Sequence, residues 1–381
     1  MSGERSVVLF CLIAVLSACR TSPRKPPKSP EPKPLTDPVR LEPFVIRAMP
    51  DPRDNARMAI ESYDAGDLFG RASAAYREEM YKEAAKRFIQ VADEFSGSKY
   101  APPALYNAGL AMERQNDFQN AATLYERLIE TYPDAADITD ALFRLTGAYE
   151  ALEMWPKADQ ALNKLLTERT DLEPLERVES LARRGATLIQ LEKTLDAKEN
   201  LLKAVALFRN GSNISPTAST YFYAMARFKL GEIIEADMHN VILPSDEAAM
   251  GDALEEKCQL LLDAQSAYTE AIRIAHPHWA AAAAYRIGNL YRVLWGDMMS
   301  APPPDDLNEE EKEIYHEVLG KRIRVLLTKA VRQWERVLTM ADRLALNNEW
   351  VVKTKADLEE IRTLLTLETT DEPTDKASAD K

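Results

Sequence analysis

Four histidines, three cysteines and one acidic cluster are the groups in this chain best suited to chemistry. His276-Pro277-His278 is the best-spaced pair of imidazoles, and neutral imidazole is a common zinc ligand. A zinc site needs three or four ligands, and no cysteine or carboxylate accompanies the pair at ligand-like spacing. Asp305-Asp306 and Glu309-Glu310-Glu311 gather enough negative charge for calcium. They lack the alternating positions and the glycine of a calcium loop, so they read as the solvated start of a long helix. The serine, glycine-loop and HExxH motifs of hydrolases, nucleotide enzymes and metalloproteases do not occur. The expectation is a non-enzyme with no cofactor and no metal.

The cysteines point elsewhere. Cys11, Cys19 and Cys258 are too few for a disulfide framework, and Cys258 reads as a small hydrophobe in a helix. Val7 to Leu16 is an apolar run following Arg5. It falls short of the roughly 20 residues that a membrane-spanning helix needs, and it has the length of a signal-peptide core. Leu16-Ser17-Ala18-Cys19 then supplies a branched apolar residue, two small residues and a thiol. This resembles the bacterial lipobox. The resemblance implies that residues 1–18 are a lipoprotein signal peptide and that Cys19 carries diacylglycerol and palmitate. The alternative is an ordinary cleaved signal beside an incidental cysteine. Arg20 follows where aspartate would favour inner-membrane retention, so the resemblance points to a lipid anchor in the outer membrane, facing the periplasm.

Residues 19–55 read as a tether. Pro26, Pro27, Pro30, Pro32 and Pro34 interleave with Arg24, Lys25, Lys28 and Lys33. Such a stretch favours an extended spacer, and thirty residues at about 3.1 Å each reach roughly 90 Å. A plain tether, attraction to anionic headgroups and threading through peptidoglycan are all compatible with it.

The remainder is apolar enough to fold, and its 13 glycines in 381 residues favour helices over a glycine-rich enzyme fold. A net charge of −13 disfavours nucleic acid as a partner.

The body repeats. In residues 104–133 one apolar stripe holds Leu105, Ala108, Gly109 and Met112, and a second holds Phe118, Ala121, Tyr125 and Leu128. Asn116-Asp117 separates them, and Pro133 stops the second. Ala84, Ala121 and Ala158 recur every 37 residues. Phe88, Tyr125 and Leu162 follow four positions later, and Tyr81, Phe118 and Trp155 precede by three. A fourth unit carries Gly185 and Leu201, a fifth Gly231 and Tyr268, and a sixth Gly288 and Trp334.

This pattern resembles the tetratricopeptide repeat, in which small residues let paired helices cross closely and bulky ones fill the gaps. The resemblance implies an all-α solenoid of about six helix pairs over residues 56–367 with a C-terminal capping helix. Inserts fall near 239–258 and 296–312, and residues 368–381 read as a disordered tail. The first repeats look most similar to those of bacterial envelope lipoproteins, among them barrel-assembly and Tol–Pal-associated repeat proteins.

By family position, a concave wall would use Phe69, Tyr76, Tyr106, Phe143, Phe228, Tyr285 and Arg292 to hold envelope proteins or peptide segments. The competing reading packs those aromatics between helices. The implied work is a protein-interaction scaffold for an outer-membrane complex. Pilus, secretion or gliding machinery, or a peptidoglycan- or carbohydrate-associated module, are the alternatives.

Overall fold

The computed structural model describes residues 43–51, 54–211 and 219–370. The signal-like segment, Cys19, the tether as far as residue 42 and the tail from residue 371 lie outside the described residues.

A β-hairpin precedes the first helix, where the proline content predicts only spacer and then helix. β1 (Phe44–Asp51) pairs antiparallel with β2 (Asp54–Asp64), setting Val45 opposite Tyr63 and Ile46 opposite Ser62. Two strands alone are marginal in water. This pair is held through Tyr63, whose buried ring meets Phe95 edge-on and whose hydroxyl donates to Glu94 at 2.8 Å. Arg47 also pairs with Glu94. Asp64 then ends β2 and caps the next helix, accepting from the Asp67 amide at 2.8 Å.

Six helix pairs follow. They are α1 (Ala65–Arg77) with α2 (Tyr81–Glu94), α3 (Ala101–Glu113) with α4 (Phe118–Thr131), and α5 (Ile138–Ala151) with α6 (Trp155–Glu168). Then come α7 (Pro174–Gln190) with α8 (Thr194–Asn210), α9 (Tyr221–Asn240) with α10 (Glu247–Arg273), and α11 (Pro277–Ser300) with α12 (Glu309–Arg343). The last helix, α13 (Glu349–Thr370), packs on α12 and α11 as the expected cap. Among the described residues this is the all-α solenoid, with one hairpin added. α13 runs three residues into the stretch that composition assigns to the tail.

The turns inside the first four pairs are built alike. Glu79, Asn116, Glu153 and Glu192 each take a left-handed conformation, with φ between 55° and 60°. The next amide then reaches back five residues to the helix end, as Met80 does to the Ala75 carbonyl at 2.9 Å and Met154 to that of Tyr149 at 2.8 Å. This motif closes orphan carbonyls and turns the chain sharply. Glutamate in that conformation costs about 1 kcal/mol relative to glycine. Glu153→Gly is therefore expected to raise stability slightly, read as a later urea midpoint.

The helix crossings explain the small residues. A Cβ added to Gly109 would lie 2.4 Å from the Tyr125 ring, and one on Gly288 2.3 Å from Trp334. Gly185 faces Leu201 and Gly231 faces Tyr268 in the same way. In the first and third pairs the aligned position holds Ala72 or Thr146, both fully buried.

The two inserts are mostly helix, not loop. The first adds turns to the start of α10 and the second to the ends of α11 and α12, so these helices reach 27, 24 and 35 residues. Local capping starts each extension. Asp246 accepts from the Ala249 amide at 2.9 Å, and Asn308 exchanges a capping box with Glu311. The acidic run at Glu309 is thus the first turn of α12, where negative charge meets the positive end of the helix dipole. Apolar packing falls into three clusters: the hairpin with the first three pairs, α7–α9, and α9–α13.

Candidate functional site

The structure separates the seven residues assigned to the concave wall. Phe228 and Tyr285 are 1% exposed, so they belong to the core and not to an open face. Phe228 sits among Tyr268, Trp279 and Trp350. Tyr285 stacks on Trp334 and donates to Asp357 at 2.6 Å. The physical reason is Trp279 in the first turn of α11 and Trp350 on α13, which lie over positions that stay half-open in the first three pairs.

Phe69 and Tyr76 are half-buried on α1. Phe69 leans on Phe88 and Tyr100, and Tyr76 meets Tyr81 edge-on. Arg292 is also half-buried, and its guanidinium is already engaged by Asn289 Oδ1 at 2.9 and 3.2 Å. Only Tyr106 and Phe143 are brought together at one depression. It has a volume of about 530 Å³ and lies between α3, α5 and α7, open to solvent.

Charged side chains that the repeat pattern does not single out shape this groove. Arg183 forms its floor, with its side chain 11% exposed. It grips Glu150 with a two-pronged contact at 3.1 and 2.9 Å, donates to Glu179 at 3.1 Å and reaches the Phe143 carbonyl at 3.4 Å. Arg144 pairs with Glu113 at 3.3 Å, and the other Glu113 oxygen accepts from the Tyr125 hydroxyl at 2.9 Å. Asp140, Phe118 and Glu176 complete the rim. Burial raises the pKa of the Tyr106 hydroxyl, against the lowering pull of Arg144.

Burial likewise pushes the Glu179 carboxyl above its ordinary range. Arg183 opposes this, while Glu150 and Glu176 add to it. The folded chain therefore holds the Glu179 proton more tightly than the unfolded chain. The stability this gives is present below the ordinary carboxylate range and is lost as pH rises through the folded value. Glu179→Gln is expected to remove that component of the fall. Urea midpoints from pH 4 to pH 7 should then decline less in the variant than in the parent.

A second depression of about 320 Å³ involves α7, α9 and α11. Glu235, 3% exposed, accepts there from Arg286 at 3.4 Å, from Asn289 at 3.3 Å and from the Tyr268 hydroxyl. Arg286 also bonds Glu232 at 2.7 Å. The charges in this network answer one another, which fits a structural tie between pairs. His276 and His278 gather around Tyr221, with ring centroids 5.2 and 6.4 Å away. Burial and the neighbouring His278 lower the His276 pKa. Among the described residues no group of three histidine, cysteine or carboxylate side chains could hold a metal ion. None of the described helices is long and apolar enough to cross a membrane.

The tetratricopeptide-repeat family model matches residues 103–135 and 140–169, which carry Tyr106 and Phe143. No curated protein matches the chain. Similar solved structures include a tetratricopeptide repeat protein from Parabacteroides merdae, at 16% identity over 80% of this chain and 98% of that one, TM-score 0.40. MamA from Desulfovibrio magneticus is 15% identical over 52% of this chain and 93% of its own, TM-score 0.35. YrrB, described as a TPR protein with an unusual peptide-binding site, is 18% identical over 65% and 97%, TM-score 0.35. The chain carries tetratricopeptide repeats and folds as the solenoid such repeats build.

Proposed function

We propose that this repeat solenoid is a membrane-anchored interaction scaffold of the bacterial cell envelope, serving the assembly or coordination of an outer-membrane complex. The observation that carries the scaffold reading is the open groove lined by both Tyr106 and Phe143, on the two helix pairs matched by the repeat model. Half-buried aromatics in a concavity offer large contact area at low entropic cost, and aromatic and arginine side chains are enriched at binding hot spots. The lipobox-like Leu16-Ser17-Ala18-Cys19 supports the anchor, and the proline-rich stretch behind it suits a spacer.

Two measurements test the two halves of this reading. Photo-crosslinking in the cell from positions beside Tyr106 is expected to capture partners that Tyr106→Ala with Phe143→Ala loses, while the circular-dichroism melt is retained. Equal loss of helicity would return both rings to a packing role. Cys19→Ala is expected to move the protein to the soluble fraction and to end labelling by palmitate. Retention of either behaviour would remove the anchor.

A further inference from the structure

The α3–α5–α7 groove has a charge imbalance that limits what can lie in it. Its lining holds Glu113, Asp140, Glu176 and Glu179 against Arg144 and Arg183. Both arginines are already occupied, Arg144 by Glu113 and Arg183 by Glu150 and Glu179. Arg183 has all its nitrogens engaged, while Arg144 spends one of its own on Glu113. Asp140 and Glu176, on the rim, have no cationic partner among the described residues. The field inside the groove is therefore negative. Tyr106 and Phe143 share this lining, and aromatic rings attract cations as well as apolar groups.

We propose that this groove takes an extended cationic segment of a partner protein, with lysine or arginine side chains meeting Asp140 and Glu176 and the intervening residues resting on Tyr106 and Phe143. The inference rests on the scaffold reading and narrows it to one chemistry. An acidic tail is disfavoured by the same lining, since it would face four carboxylates against two arginines. An extended segment suits this lining, because its residues are spread over the first helices of three successive pairs and not along one helix.

The test uses three fluorescein-labelled dodecapeptides, repeats of Lys-Pro-Leu, Gln-Pro-Leu and Glu-Pro-Leu, titrated against the full chain by fluorescence anisotropy. The lysine probe is expected to bind at least about tenfold more tightly than the other two and to weaken steeply with added sodium chloride. Asp140→Asn with Glu176→Gln is expected to weaken it about fivefold or more. Glu199→Gln with Glu317→Gln, which removes two exposed charges elsewhere, should leave it unchanged. Asp140→Asn alone serves if the double variant loses helicity.

Equal loss in the Glu199 and Glu317 control overturns the proposal in favour of diffuse attraction to an acidic protein. Tighter binding of the glutamine or glutamate probe also overturns it. If that binding vanishes in Tyr106→Ala with Phe143→Ala, the groove reading survives with another chemistry. If the lysine probe does not bind, the inference falls, and the groove reading then depends on the crosslinking result alone.

Discussion

Gly288→Val is expected to cost at least about 3 kcal/mol and to unfold the C-terminal half of the solenoid first. A Cβ at this position would lie 2.3 Å from Trp334 Nε1 and 2.5 Å from the neighbouring ring carbon. Relief would require the indole to move, and three contacts hold it. Its side chain is fully buried, its Nε1 donates to the Tyr285 carbonyl at 3.0 Å, and its ring lies parallel to Tyr285 at 5.8 Å. Rotation would break the hydrogen bond inside the core and leave the buried indole N–H unpaired.

Trp334→Ala should cost a comparable amount, about 3–5 kcal/mol, by leaving a cavity instead of a clash. The two defects have opposite signs in volume, so Gly288→Ala combined with Trp334→Leu should cost less than the sum of the single changes. Gly70→Ala is the control. Nothing lies within 4 Å of a Cβ there, and the position is an exposed turn of α1. That change should stabilise by about 0.5–1 kcal/mol. Solenoids unfold in segments, so one global midpoint is not enough. Tryptophan fluorescence serves for Gly288→Val, because Trp279, Trp295, Trp334 and Trp350 lie on α11–α13 while Trp155 alone lies on α6. An unchanged urea midpoint by that signal would show that the crossing is looser than the contacts imply.

These crossings were legible because sequence spacing encodes them directly. In the first four pairs the bulky residue follows the small one by sixteen positions, as Gly109 and Tyr125 or Gly185 and Leu201 show. The later pairs keep the same chemistry at longer spacing, as Gly231 and Tyr268 show. Residue type alone had to carry that assignment. The hairpin was missed for a different reason. Phe44-Val45-Ile46 is a short run of strand-favouring residues, but without alternation it carries little weight beside the prolines just upstream. Its stability also depends on Tyr63 reaching Glu94, a contact that local patterning does not contain.

The groove was half legible. Tyr106 and Phe143 follow from their place on the first helix of each pair. The charges between them do not, because Arg183 and Glu150 are 33 residues apart and meet only when adjacent pairs stack. A useful signal was available in Arg183-Arg184 beside the crossing glycine Gly185, since a charge so close to a close-packed crossing must find a partner. Phe228 and Tyr285 occupy equivalent repeat positions, yet both are covered by Trp350 of the capping helix, which the repeat does not specify.

Those extra turns carry the second large effect, at Lys257. This lysine lies on the extension of α10 and is 2% exposed, an unusual state for an ammonium group. It donates to the Met238 carbonyl at 2.9 Å and to that of Val241 at 2.8 Å, closing the C-terminal end of α9. It also lies 2.9 Å from Asp297 on α11, so one side chain ties three successive helices. A cation there meets both the orphan carbonyls and the negative end of the helix dipole.

Lys257→Met keeps most of the volume and removes every donor. The Asp297 side chain is about a third exposed, but the Oδ2 that faces the ammonium is buried, and the buried Met238 carbonyl would keep only the long contact from the Val241 amide at 3.4 Å. The expected loss is about 2–4 kcal/mol, dominated by unsatisfied acceptors. Arginine should not restore it, because its planar fork needs more room than a site shaped around a compact ammonium. Added salt should change the cost little, since screening acts weakly on buried pairs. Lys203→Met breaks an exposed pair with Glu199 and should leave the urea midpoint unchanged. Hydrogen exchange gives the most local readout, with protection lost in the last turn of α9 before the rest of the helix. If that turn keeps its protection in Lys257→Met, the inserted turns of α10 do not lock the solenoid and only lengthen it.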